Sequence, residues 1–189
     1  MEIITIIFLA IALSADAFAV SMCFGTSASS DDKTKIALKA GIFFGLFQAI
    51  MPLIGWLAGY FAKSYIENYD HWLAFGLLFI IGFRMIYEAT KKNVCKTFDT
   101  GSIWIMISLS VATSIDALAV GLSIAFIKMP VLLSVLIIGF TTFILSFVGV
   151  LLGNKFYKLL GKKAELAGGI VLISIGIKII IEHLYFHNT

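Results

Sequence analysis

Charge is scarce in this chain. Only 13% of its 189 residues are Asp, Glu, Lys or Arg, while 60% are hydrophobic, and the mean hydropathy of +1.03 is far above that of a soluble domain. The balance excludes an ordinary water-soluble protein and points to one embedded in a membrane. Cysteine is equally sparse: Cys23 and Cys95 stand apart, without a Cys-x-x-Cys spacing. Neither a disulfide framework nor a zinc site is expected, so Cys23 reads as a small apolar filler and Cys95 as a loop thiol. No Walker-type phosphate loop occurs, so ATP does not drive the protein directly. The Lys and Arg residues are spread over several loops without interleaved aromatics, and the net charge is only +3, which argues against a nucleic-acid partner. The first apolar run also lacks a basic flank, Glu2 being the only charge near it. It reads as a retained span, not a signal peptide.

What is there is a series of long apolar runs. Six stretches, at about 3–24, 36–61, 72–87, 102–127, 131–152 and 166–181, mostly reach the roughly 20 residues a helix needs to cross a bilayer. They show no strict apolar–polar alternation, so a helical bundle is expected in place of a barrel. Lysines mark the sides. Lys33, Lys35, Lys39, Lys91, Lys92, Lys96, Lys155, Lys158, Lys162 and Lys163 fall on one side of such a bundle, against Lys63 and Lys128 on the other. The lysine-rich side is expected to be cytoplasmic, with both termini outside. Arg84 and Lys178 lie within spans.

One acidic motif interrupts these runs and does so twice. Ser14-Ala15-Asp16-Ala17-Phe18-Ala19-Val20 returns as Ser114-Ile115-Asp116-Ala117-Leu118-Ala119-Val120. An intramembrane Asp is unfavourable by roughly 2.5–3.5 kcal/mol on insertion scales, so its recurrence at equivalent positions points to function. The repeat extends further: Gly45, Gly55 and Gly59 align with Gly139, Gly149 and Gly153, and Gly82, Arg84 and Glu88 with Gly176, Lys178 and Glu182. The reading is an all-α membrane protein, a single transmembrane domain over 1–189. Its six transmembrane helices form two three-helix repeats, 1–95 and 96–189. An odd number of spans per half makes the second repeat inverted relative to the first, an arrangement typical of secondary transporters.

Helical spacing places Ala12, Asp16, Ala19 and Cys23 on one face, and Ala112, Asp116, Ala119 and Ser123 on another. Two carboxylates brought together repel unless a cation or a proton lies between them. A hard divalent cation fits, because the available ligands are oxygens. Gln48 and its counterpart Thr142 add neutral oxygens, making Asp16, Asp116, Gln48 and Thr142 the expected metal site. Ser14, Ser114, Pro52 and Ser146 are supporting residues; the two serines at positions 14 and 114 are expected to bond back to their own helices, and Pro52 to free a backbone carbonyl. The i,i+4 pairs Arg84–Glu88 and Lys178–Glu182 are candidate gates or interfacial ion pairs. His183 and His187 share a face but do not complete a metal site, and Gly55-x-x-x-Gly59 and Gly149-x-x-x-Gly153 read as helix-packing faces.

These residues resemble the bacterial manganese efflux pump family, within the wider lysine-exporter superfamily. The likeness rests on 14–21, Met51-Pro52-Leu53-Ile54-Gly55-Trp56, Gly82-Phe83-Arg84-Met85-Ile86-Tyr87-Glu88, 112–121, and Gly161-Lys162-Lys163-Ala164-Glu165. It implies a multi-pass exporter of Mn²⁺ in the bacterial cytoplasmic (inner) membrane. The family's two intramembrane aspartates fall on Asp16 and Asp116. Where some members carry a glutamate in the second span, this chain has Gln48, one negative charge fewer. The expected function is alternating-access export of Mn²⁺, with the ion as substrate, no cofactor, no enzymatic activity, the lipid bilayer as surroundings, and assembly into a homo-oligomer left open. Two other readings stay open: export of a small organic cation or amino acid, and an intramembrane aspartyl protease. The second is disfavoured because Ala15 and Ile115 precede the aspartates.

Overall fold

In a bilayer interior no water is at hand for backbone N–H and C=O groups, so an apolar run folds into helix to satisfy them internally. The computed structural model describes residues 2–29, 31–66, 70–90, 102–126, 129–153 and 162–186, and these are helical with no strand among them. The helices are α1 (Glu2–Ser27), α2 (Lys33–Ile66), α3 (Asp70–Thr90), α4 (Ile103–Thr113), α5 (Ile115–Phe126), α6 (Val131–Leu152) and α7 (Lys162–Phe186). With 26 residues, α1 is about 39 Å long, more than a hydrocarbon core of about 30 Å requires. Among the described residues, four stretches are long and apolar enough to cross: Ile3–Ser27, Lys33–Phe61, Ile103–Phe126 and Val131–Leu152; α7 carries a shorter apolar segment, Gly169–Ile179. Their outward faces are apolar, with Leu132 73% and Phe140 67% exposed, which suits lipid and not water.

Two local expectations change. The stretch over 102–127 is not one rod: the helix ends at Thr113 and restarts at Ile115, with Ser114 between them at φ −106°, ψ 5°. Conversely, α2 continues through Pro52, so the loss there is confined to the bond that a proline nitrogen cannot donate. A third departure concerns Cys23, which is disulfide-bonded and not a free apolar filler. Cys95 lies outside the described residues.

Helix α1 packs on α6, α2 on both α5 and α6, and α3 on α7. Glycines set these approaches. A Cβ at Gly55 would overlap the Leu118 carbonyl oxygen, and one at Gly149 would come within 2.9 Å of the Phe18 carbonyl oxygen. Gly82 and Gly169 each face the other's carbonyl oxygen, at 2.7 and 2.6 Å from the position a Cβ would take. Small residues of this kind let helix backbones approach where lipid gives no hydrophobic drive for association. The two Gly-x-x-x-Gly pairs are therefore packing faces, Gly59 meeting Leu122 and Ala125, and Gly153 meeting Gly25.

Most of the buried apolar residues described fall into two groups. One gathers Leu9, Leu13 and Ala15 of α1 with Ala117, Val120 and Ile124 of α5, Ile138 of α6 and Leu172 of α7. The other gathers Ala17 and Phe24 of α1 with Ala40 and Phe44 of α2, Met106 of α4 and Val150 of α6.

Candidate cation site

The candidate residues fall, along their helices, between positions of these two groups. On α1, Asp16 lies between Ala15 of one and Ala17 of the other; on the α4–α5 segment, Asp116 lies between Met106 and Ala117. On α6, Thr142 and Ser146 lie between Ile138 and Val150, and on α2, Gln48 follows Phe44 and precedes Met51, which packs on the first group. Each of these four helices thus carries a polar residue, along its own length, between positions of the two apolar groups.

Gln48 is fully buried and donates from Nε2 to the Leu13 carbonyl of α1 at 3.1 Å. That bond carries the carboxamide of α2 to within one turn of Asp16. Its Oε1 is buried and has no hydrogen-bond partner. At the next residue of α1, Ser14 Oγ lies 2.7 Å from Thr142 Oγ1, 2.6 Å from its own Ala10 carbonyl, and Thr142 Oγ1 lies 2.9 Å from the Ile138 carbonyl. Two hydroxyl protons cannot make three bonds at once. One of the three contacts therefore lacks a proton, which leaves accepting capacity among the four oxygens.

Asp116 is 8% exposed and stands in the first turn of α5. Its Oδ1 accepts the Ala117 N–H at 2.9 Å, and the positive end of a helix macrodipole favours an anion there. The interruption just before it is held by its own side chains. Ser114 N–H donates to the Val111 carbonyl at 3.2 Å, Ser114 Oγ to Ser110 O at 2.7 Å, and Thr113 Oγ1 to Leu109 O at 2.9 Å. The Ser114 hydroxyl thereby takes over the Ser110 carbonyl, which a continuous helix would satisfy with the Ser114 amide. Asp16 is half-buried in an unbroken helix.

Other hydroxyls behave differently. Ser110 and Ser146 are fully buried, and their Oγ atoms have no hydrogen-bond partner, although a helical serine ordinarily has a carbonyl four residues back within reach, as Ser123 does with Ala119. Unpaired buried oxygens are unfavourable by about 1–3 kcal/mol each. They mark an interior with acceptors to spare, which is what a hard cation needs. Sequence reasoning passed over Ser110, whose signal was a polar residue one turn before Ser114 in an apolar run. It also placed Ala112 on the face of Asp116; Ala112 is exposed, because the break at Ser114 turns the chain between them.

The described residues hold no cluster of three or more His, Cys, Asp or Glu that would bind a metal by acidic or soft ligands alone. A cation here would rely on two carboxylates and neutral oxygens. Of the gate candidates, Lys178 is described and its Nζ donates to Thr5 Oγ1 at 3.4 Å. The side chains of Arg84, Glu88 and Glu182 lie outside the described residues, as do those of His183 and His187.

Comparison with known proteins bears on what these residues do. Residues 31–180 match the family model described as "Putative manganese efflux pump". A "Putative manganese efflux pump MntP" of Gloeothece citriformis (strain PCC 7424) is 49% identical over 187 residues, 98% of each chain. The protein of the same description from Yersinia pestis (strain Pestoides F) is 43% identical over 187 residues, again 98% of each. No solved structure matches the chain. A multi-pass helical membrane protein with this match along nearly its whole length belongs to the manganese efflux pump family.

Proposed function

We propose that the chain exports Mn²⁺ from the cytoplasm as a secondary transporter, holding the ion between Asp16 and Asp116 with oxygens of Gln48 and Thr142. The observation that supports this reading is that each of the four residues falls, along its own helix, between positions of the two apolar groups. A divalent cation there offsets both carboxylates and takes the free carboxamide oxygen of Gln48, all ligand types suited to Mn²⁺. Direction follows the relatives, which are described as efflux pumps.

Transport proceeds by alternating access of two inverted halves of three spans each, 1–95 and 96–189. In support of this, packing partners recur when the halves are exchanged: Gly55 faces Leu118 and Gly149 faces Phe18, the aligned residues of the other half. A cavity of about 50 Å³ lies toward the end of the bundle where Thr5 meets Lys178, while toward the other end Phe24, Phe44 and Val150 are buried together. By the lysine distribution the cavity end faces outside, with both termini. Carrying two positive charges outward against an inside-negative potential opposes export by about 4.6 kcal/mol per 100 mV. Protons returning on the emptied carboxylates would offset that work.

The test is cell-associated manganese in a manganese-sensitive, exporter-deficient host carrying the unmodified chain, Asp16→Asn or Asp116→Asn at equal membrane abundance. The unmodified chain is expected to lower manganese and both variants to fail. Equal export by the variants would remove the site, and no lowering by the unmodified chain would remove the function.

A further inference from the structure

The cavity lies along the faces that carry both aspartates. On α1 its wall includes Thr5 and Leu9, which share a face with Asp16 at i−11 and i−7; on α5 it includes Val120 and Ser123, at i+4 and i+7 from Asp116. Seven residues of helix rise about 10 Å. The cavity therefore begins within about 10 Å of each carboxylate and continues away from both along the route a released ion would follow. Its wall is mostly apolar, yet the half-buried Lys178 stands in it, with Nζ on Thr5 Oγ1 at 3.4 Å. A lysine in the exit of a cation transporter opposes the cargo's own charge.

We infer that the Lys178 ammonium disfavours cations entering the site through the cavity, and so biases the transporter toward release there. This rests on the Mn²⁺-export reading and on its orientation. Thr5 stands about 16 Å of helix from Asp16, so the charge acts most strongly on a divalent ion passing through the cavity, where at about 10 Å it changes the ion's local occupancy by on the order of tenfold in a partly hydrated passage. A cavity of about 50 Å³ holds water but no counter-ion atmosphere, so salt screens the effect little. The inference does not require the ammonium to stand alone. Fields add, so removing this charge shifts the potential along the cavity by the same amount whatever else it touches. The i,i+4 pairing with Glu182 expected from the sequence would leave that shift intact.

The experiment measures the apparent KM for Mn²⁺ in right-side-out and inside-out membrane vesicles carrying the full chain, Lys178→Gln or Lys178→Arg. Lys178→Gln should lower the KM at the outer face about tenfold and leave that at the inner face within twofold. Lys178→Arg should match the unmodified chain at both. An unchanged outer KM in Lys178→Gln, or an equal shift at both faces, would overturn the inference while leaving Mn²⁺ transport standing. Absence of Mn²⁺ movement by the unmodified chain would instead remove the functional reading, and this inference with it.

Discussion

The two copies of the Asp motif have nearly the same sequence and different backbones. Around Ser14 and Asp16 the chain is helical without interruption, whereas the second copy breaks at Ser114, two residues before Asp116. The difference lies in the helix each serine meets. Ser14 reaches Thr142 of α6; the residue of α2 that corresponds to Thr142 is Gln48, and its amide is committed to Leu13 of α1. Ser114 bonds only carbonyls of its own helix, those of Ser110 and Val111. A Ser-x-Asp-Ala sequence thus permits both backbones, and the neighbouring helix selects between them. The consequence is chemical: Asp116 gains a helix N-terminus and the Ala117 N–H, while Asp16 stands within a continuous helix.

The comparison can be broken most severely at the carboxylates. Asp16→Asn and Asp116→Asn are each expected to reduce Mn²⁺ transport in vesicles at least a hundredfold, since a shared site needs both charges. Loss in one variant alone would mean that the halves do not share a site. Next in size is packing. Gly55→Leu and Gly121→Leu would drive side chains into the backbones of Leu118 and Pro52, and each should destabilise the detergent-purified protein by about 3 kcal/mol or more in thermal unfolding. Gly76→Ala, with nothing within 4 Å of a built Cβ, should be neutral or stabilising by up to about 1 kcal/mol.

The finest distinction is between the serines' partners. Thr142→Val removes an interhelical bond and should destabilise by about 0.6 kcal/mol and at most about 1.7. Ser114→Ala removes only bonds within its own helix and should destabilise by less in the same unfolding assay. The reverse order would remove the explanation given for the unequal backbones.

Much of this was legible in the sequence because it depends on local pattern. Apolar runs of span length predict helices, and Gly55, Gly59, Gly149 and Gly153 mark close approaches by lacking side chains. The polar residues of the site stand out for the same reason, Asp16 and Asp116 being costly in an apolar run. What the sequence hid depends on neighbours. The break at Ser114 cannot be read from a motif that is helical at Ser14, and Ala112 leaves the expected face only because of that break. Pro52 had the stronger local signal for interruption, yet α2 runs through it, with Gly121 leaving room against its backbone. The cavity joins Thr5 and Lys178 from opposite ends of the chain, a meeting that no spacing rule predicts. The disulfide at Cys23 was likewise invisible in two isolated cysteines.

The central claim is a single divalent site shared between the halves, and direct binding tests it most closely. Electron paramagnetic resonance of Mn²⁺ titrated into the purified full chain should report one bound ion per chain, lost in Asp16→Asn and equally in Asp116→Asn. Two ions per chain, each removed by a different substitution, or binding that survives either one unchanged, would contradict it.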